Sequence, residues 1–342
     1  MTIAQVAQAA GVSRATASRV AGASPQVGLQ ARGSVEPVAA ELEYSPGPEP
    51  RTPSLAGNSV GVVVNESTTR LFSDPYFSPL MKGIYAALAE RSMLLVMLAP
   101  SSNKDLELTA AYLTDKHVDG AILVSLHGDN PLPGLLVGHH IPTVVCGRPP
   151  KGVAASCVNS DNRQGGTLAT RHLIEQGRRR IATIAGNLDM AGAVDRLNGY
   201  RDALTEAGIA LDPTLEEVAD YQPDRAHIAM ERLLLNHPDL DGVFAASDVM
   251  AAAALRVLLQ ARRRVPEDVA IIGFDDSPTA RATRPPLSSI RRAIEEMGRE
   301  AVNVLMHEMA EPEGAPQHVT FATELIVRQS TVGSGARATA GR

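Results

Sequence analysis

Residues 1–35 contain no aspartate or glutamate, although the 342-residue chain is acidic overall, with 38 Asp and Glu against 32 Lys and Arg. A net charge of −6 excludes a protein that coats nucleic acid or an anionic membrane with its whole surface. Any contact with DNA must be local. The acid-free stretch, which holds Arg14, Arg19 and Arg32, is where it belongs, and Glu36, Glu41, Glu43 and Glu49 follow it directly. Cysteine is scarce. Cys146 and Cys157 are the only two, too few for a disulfide framework or a cysteine metal site, and they read as core residues. No apolar run approaches the roughly 18 residues of a membrane span, and no basic-plus-apolar signal opens the chain, so a cytoplasmic protein is expected. Phosphate-loop, dinucleotide-loop and nucleophile-elbow motifs are absent. HEMAE at 307–311 misses the zinc-protease pattern because Glu311 stands where a second histidine would be. No enzyme, cofactor or metal site is expected.

What is present falls into three textures. Residues 2–44 read as helical, opened by a Thr2-x-x-Gln5 capping box with Ile3, Val6, Ala7 and Ala10 on one face. Gly11 supplies a left-handed turn and Ser13 an N-cap for a second helix to about Ala21. That helix would bury Ala17, Val20 and Ala21 while exposing Arg14, Ala15, Ser18 and Arg19. A third helix from Leu29 to Leu42 completes the core, with Pro37 awkwardly inside it. Two short helices about a glycine turn, the second showing arginines and hydroxyls, suit a helix-turn-helix whose second helix reads the major groove.

Residues 45–59 hold four prolines and no apolar period, and read as an extended linker. From residue 60 onward, apolar strands (60–64, 94–98, 121–126, 143–146, 181–185, 242–245 and 269–274) alternate with helices (78–91, 105–116, 162–176, 194–207, 224–236 and 248–263). Strands buried on both faces and separated by helices specify α/β doubly wound parallel sheets. Some 270 residues of this pattern exceed one sheet, so two lobes are expected. Ligands then sit beyond the carboxyl ends of the strands.

Candidate ligand residues fall in such loops. Phe72, Tyr76 and Phe77 concentrate three of eleven aromatics in a polar loop, suited either to stacking on sugar C–H faces or to core packing. Arg196, at the start of the helix at 194–207, offers a planar donor fork, or merely caps charge. Asp248 and Asp276 suit caps or turns. The pairs Ser247–Asp248 and Asp275–Asp276 follow apolar strands, but no base or nucleophile is spaced to make them catalytic. His139–His140 reads as a surface pair, and the triplets 178–180 and 262–264 as cations placed after helix C-termini.

The stretch TIAQVAQAAGVSRATASRVAG resembles the opening pattern of the lactose-repressor (LacI/GalR) family. So do VNSDNRQGGTLATRHLIEQGRRRI (158–181), DRLNGYRDAL (195–204) and GFDDSPTARATRPPLSSIRRAIEEMGREA (273–301). The resemblance covers nearly the whole chain. It implies an N-terminal three-helix helix-turn-helix domain (1–44), a hinge-helix linker (45–59) and a periplasmic-binding-protein-like core (60–332), followed by a tail (333–342). One lobe would take about 60–159 and 291–320, the other about 160–290 and 321–332. The chain would cross between lobes near 159–161, 289–291 and 321–324. DNA-binding residues implied are Ser13, Arg14, Ala15, Thr16, Ser18, Arg19 and, in the linker, Arg51. The ligand set implied is Phe72, Tyr76, Phe77, Arg196, Asp275 as an acceptor for sugar hydroxyls, and Ser247 where many members carry asparagine. The partners implied are a pseudo-palindromic operator, a sugar effector and a second copy of the chain.

The departures from the family pattern cluster in the linker. Gly47, Pro50 and Pro53 replace the usual asparagine, alanine and leucine, with Leu55 two residues later. Gly22 and Glu43 also depart. Prolines 48, 50 and 53 oppose a regular hinge helix, so weak DNA kinking or weak binding is expected, and a restored consensus linker should tighten operator binding. Two other readings stay open: a sugar-binding protein without effective DNA binding, and a regulator whose effector is a purine or another anion, marked by pocket arginines beyond Arg196. Within the sugar reading, a disaccharide or α-glucoside is favoured.

Overall fold

The computed structural model describes residues 3–13, 16, 17, 20, 29–41 and 58–332, and the chain divides into two compact units, Met1–Ser54 and Leu55–Arg342. In the first unit, helix Ile3–Ala9 is followed by Gly11 at φ 68°. Ser13 then caps the next helix: its Oγ accepts from the Thr16 amide at 3.1 Å and meets the Thr16 hydroxyl at 2.8 Å. Val6, Ala7, Ala17, Val20 and Val35 form the small core, with Ala10, Val12, Val38 and Ala39 packed against it. The third helix runs Leu29–Glu41 through Pro37. The proline lies on the exposed side of this helix. Thr2, Ala21, Leu42, the linker prolines and the 333–342 tail lie outside the described residues.

The second unit holds two six-stranded sheets. The first lobe's sheet is ordered β11-β5-β4-β3-β1-β2, from β1 (Ser59–Val64), β2 (Leu94–Leu98), β3 (Gly120–Val124), β4 (Thr143–Cys146), β5 (Ser156–Ser160) and β11 (His318–Phe321), all parallel. The second is ordered β12-β10-β9-β8-β6-β7, from β6 (Ile181–Ala185), β7 (Glu216–Val218), β8 (Gly242–Ala245), β9 (Ala270–Asp275), β10 (Ser288–Arg291) and β12 (Glu324–Ile326). Only β12 runs antiparallel, against β10. The chain passes between sheets three times: at Asp161, between Arg291 and Ile294, and between Phe321 and Glu324. The apolar strands β1, β3, β4, β6 and β8 are buried throughout, as parallel strands covered on both faces must be.

Five strands escape the apolar pattern: β5, β7, β10, β11 and β12. β7 is short and at an edge, while β5 and β10 are serine-rich because hydrogen bonds satisfy their buried hydroxyls. Ser289 Oγ donates to Asp248 Oδ1 at 2.6 Å, and Ser288 Oγ donates to the Arg328 carbonyl at 3.0 Å. The same polar seam contains His172, whose Nε2 lies 2.7 Å from Thr331 Oγ1. Burial pushes the His172 pKa down to about 4.

Each lobe is closed by a glycine-mediated helix crossing. Helix Phe77–Ala89 presents Leu80, Ile84 and Leu88, all fully buried, toward helix Ile294–Ala310 with Val302 and Leu305. Each such side chain stabilises the fold by about 1.5–3 kcal/mol. A Cβ on Gly83 would lie 2.0 Å from the Glu295 carbonyl oxygen, so nothing larger than glycine permits this approach. In the second lobe, helices Asn162–Glu175 and Ala191–Glu206 meet the same way at Gly166 and Gly199. Cys146 and Cys157 sit on neighbouring strands, offset by one residue and facing different core clusters, as free thiols.

Candidate effector site

Strand ends from both lobes converge on one cleft, lined by residues of each lobe. The first lobe supplies Arg70 and Asp74 after β1, Ser125 after β3, Cys146 and Arg148 at β4, and Asn159 at β5. The second supplies Asn162, Met190, Arg196, Tyr221 and Asp275, while Arg292 sits on the crossover after β10.

Arg196 is the best-held of these. It is 4% exposed, its Nε donates to Asn162 Oδ1 at 2.8 Å, and its Nη1 donates to the Ala246 carbonyl at 2.5 Å. Its guanidinium lies 3.9 Å above the Phe274 ring centre and 5.8 Å from that of Tyr221. Burial pulls its pKa down, against the favourable field of Asp275. Asp275 is held by Arg292: Nε donates to Oδ1 at 2.9 Å and Nη2 lies 2.6 Å from the same oxygen. Burial lowers the Arg292 pKa, but the charge of Asp275 leads the opposing effects and the net shift is upward. Asp74 is raised by burial and then by repulsion from Asp275. Burial pushes the Tyr76 hydroxyl up to about 12, leaving it neutral.

The structure brings Tyr76, Arg196 and Asp275 together and separates the other three expected ligand residues. Phe72 lies on the short helix Thr68–Ser73 with 76% of its surface exposed, away from the cleft. Phe77 is 2% exposed and belongs to the first lobe's core, because it opens the helix whose apolar face packs inward. Ser247 caps helix Asp248–Gln260, accepting from the Met250 amide at 3.4 Å, and its short side chain does not line the cavity. Asp276, expected as a cap or turn residue, is instead an anchor for Arg281, Arg291 and Arg328. Arg70, Asp74, Arg148, Asn162, Tyr221 and Arg292 are cleft residues that sequence reasoning missed. Arg292 carried a readable signal: it ends the SSIRR run, and a strand read there would have put it at a carboxyl end.

At the cleft mouth the lobes touch directly. His127 Nδ1 lies 2.9 Å from Asp189 Oδ1 of the second lobe, and Nε2 lies 3.2 Å from Glu66 Oε1 of the first. The Gly128 amide donates to the Asp189 carbonyl at 3.0 Å, and Arg148 pairs with Asp195 at 3.0 Å. The hydrogen bond to Glu66 is the main cause of a raised His127 pKa.

Of the expected DNA-contacting residues, Ser13 is exposed and Thr16 half-buried, joined in the cap described above. Arg14, Ala15, Ser18, Arg19 and Arg51 lie outside the described residues. Among the described residues no group of three or more His, Cys, Asp or Glu side chains is arranged to hold a metal ion. Nor is any helix among them long and apolar enough to cross a membrane.

Residues 2–47 match the family of bacterial regulatory proteins, lacI family, and residues 170–331 match the periplasmic binding protein-like domain. Over 96% of its length the chain is 43% identical to the HTH-type transcriptional regulator CelR of Thermobifida fusca, covering 98% of that protein. The chain belongs to the lacI family. It is also 32% identical to the ribose operon repressor of Escherichia coli (strain K12), over 96% of this chain and 99% of that one. The solved transcriptional regulator CelR–cellobiose complex superposes with a TM-score of 0.78 at 43% identity, covering 96% of this chain and 99% of that chain. This lacI-family chain is therefore a DNA-binding transcriptional regulator with a periplasmic-binding-protein-like core, and its relatives are regulators rather than enzymes.

Proposed function

We propose that this regulator binds a pseudo-palindromic operator as a homodimer and that a neutral disaccharide of the cellobiose kind, bound in the cleft, controls that binding. One observation carries the choice of effector: the cleft guanidiniums are matched by carboxylates. Arg70 pairs with Glu66 and Asp74, Arg148 with Asp195, and Arg292 with Asp275, while Arg196 stands 4.0 Å from Asp275. Four cations thus face four anions. An anionic effector would have to displace a carboxylate from its arginine, whereas sugar hydroxyls can donate to the acids and accept from the arginines. Of the disaccharide or α-glucoside expected from sequence, the relative solved with cellobiose supports the disaccharide, with a β-linkage.

The homodimer is supported by a first lobe that leaves Tyr85, Leu94, Met97 and Leu108 exposed, two of them on the edge strand β2. Opening and closing of the cleft would change how two protomers present their DNA-reading helices. A protein acting on an operator works in the cytoplasm. Titration calorimetry against cellobiose, maltose and a purine base, followed by a gel shift on the promoter DNA with and without the best ligand, tests the reading. Micromolar cellobiose binding that shifts operator affinity is expected. Binding of the purine with no response to either disaccharide would overturn it.

A further inference from the structure

Three cleft groups have unspent hydrogen-bonding capacity. Arg292 commits Nε and Nη2 to Asp275 Oδ1, which leaves Nη1 without a partner among the described residues. Asp275 Oδ2 accepts no hydrogen bond from the described residues, and Arg196 Nη2 stands 4.0 Å from Asp275 Oδ1, beyond hydrogen-bond reach. All three residues line the cavity. An acceptor flanked by two donors matches a vicinal diol, in which each hydroxyl both donates and accepts.

Arg292 is fixed more firmly than such a pair alone requires. Its side chain is 8% exposed. Its guanidinium lies 4.7 Å from the Tyr76 ring centre of the first lobe and 5.7 Å from that of Phe274 in the second. The residue before it, Arg291, is bonded through Nε to Asp276 at 2.8 Å, and Arg328 bonds the same carboxylate. Two consecutive acids are therefore gripped by two consecutive arginines, one pair facing the cleft and the other the crossover. Asp275 and Asp276 both adopt positive φ, 108° and 52°, a conformation that costs a residue with a side chain and is sustained by these contacts.

We infer that Arg292 is a specificity-determining residue of the effector site: with Asp275 it reads a sugar diol, and by neutralising that carboxylate it makes the site select uncharged sugars. The inference rests on the disaccharide reading above. A sugar acid meets Asp275 and Asp74 across the cavity, and an amino sugar meets Arg292, so each is disfavoured. A lysine at 292 keeps the charge but loses the planar fork that holds Asp275 while presenting a third nitrogen to ligand.

Calorimetry with cellobiose and with cellobionate, its singly charged acid, tests this on the full chain. Wild type should prefer cellobiose by at least tenfold. Arg292→Gln should weaken cellobiose at least tenfold, and Arg292→Lys should recover less than a third of that loss. Asp275→Asn frees the guanidiniums and should shift the preference toward cellobionate. The double variant Asp275→Asn/Arg292→Gln should lose that shift. Cellobiose affinity within twofold of wild type in Arg292→Gln, with unchanged selectivity, overturns the inference. Should Arg292→Gln fail to fold, the charge-balanced double variant decides: a cellobionate shift as large as that of Asp275→Asn alone overturns it. If wild type binds neither sugar, the disaccharide reading itself falls, a result distinct from a silent Arg292 in a protein that binds cellobiose.

Discussion

Arg196 on the second lobe and Arg148 on the first each bring a guanidinium to the same cleft, and they are held in opposite ways. Arg196 is buried, bonded to Asn162 and to a backbone carbonyl, and clamped against Phe274. Arg148 has a side chain 54% exposed and, among the described residues, a single ion-pair partner, Asp195, which belongs to the other lobe. The second lobe's wall is organised before ligand arrives, so little ordering cost is left at binding. On the first lobe's rim, Arg148 and His127 reach across to Asp195 and Asp189, contacts that opening of the cleft would separate.

That contrast can be broken at four points. Arg196→Ala removes a buried cation and leaves Asn162 Oδ1 and the Ala246 carbonyl without their donor, so stability should fall by about 3–5 kcal/mol. Effector affinity should drop at least a hundredfold in calorimetry, and a loss below tenfold would place recognition elsewhere. The second lobe also carries a buried neutral histidine. The His172 pKa is depressed from 6.5 to about 4, so its contribution is whole above pH 6.5 and disappears as pH falls toward 4. Denaturant titrations should show up to about 3 kcal/mol lost across that window, and His172→Gln should flatten the profile.

The first lobe should respond more weakly and in the opposite pH sense. His127 is raised by Glu66, so its bridge to Asp189 is complete below pH 6.5 and is lost as pH rises through the raised value. Effector affinity should be about threefold to fivefold higher at pH 6 than at pH 8, on the order of 1 kcal/mol. His127→Gln should abolish the difference, and an unchanged slope would remove His127 from closure. Arg148→Ala should cost about threefold or less, with the deficit shrinking in high salt, since an exposed pair contributes about 0–1 kcal/mol. A tenfold loss there would mean that the rim, too, recognises ligand.

The sequence spoke clearly wherever burial is apolar and softly where it is polar. Leu94–Leu98, Thr143–Cys146, Ile181–Ala185 and Gly242–Ala245 are strands with the ends their apolar runs suggest. Ser156–Ser160 and Ser288–Arg291 hide because hydrogen-bonded serines fill their inward positions, and hydrophobic periodicity does not register these. The same blindness governs the cleft. Arg196 and Asp275 were visible through long matched motifs, while Arg292 was missed with the strand that delivers it. Aromatic clustering misled at Phe72 and Phe77, where one ring faces solvent and the other opens a packed helix. Three neighbouring rings in sequence point three ways once a helix begins at residue 77.

The three passages of the chain between sheets also set a timetable for its synthesis. The second lobe is nearly continuous from Asn162 to Arg291, taking later residues for edge strand β12 and for the contacts of Arg328, Ser330 and Thr331. The first lobe begins earlier and finishes later, because helix Ile294–Ala310 and strand β11 complete its core. At about 5–20 residues per second, the intervening segment takes on the order of 10 s to emerge. For that interval the earlier-made lobe has helix Phe77–Ala89 over part of this sheet face, while the rest of the core with Ile122 and Val144 awaits Val302 and Leu305. The part of the protein first translated in the core is thus the part that most needs protection on the ribosome.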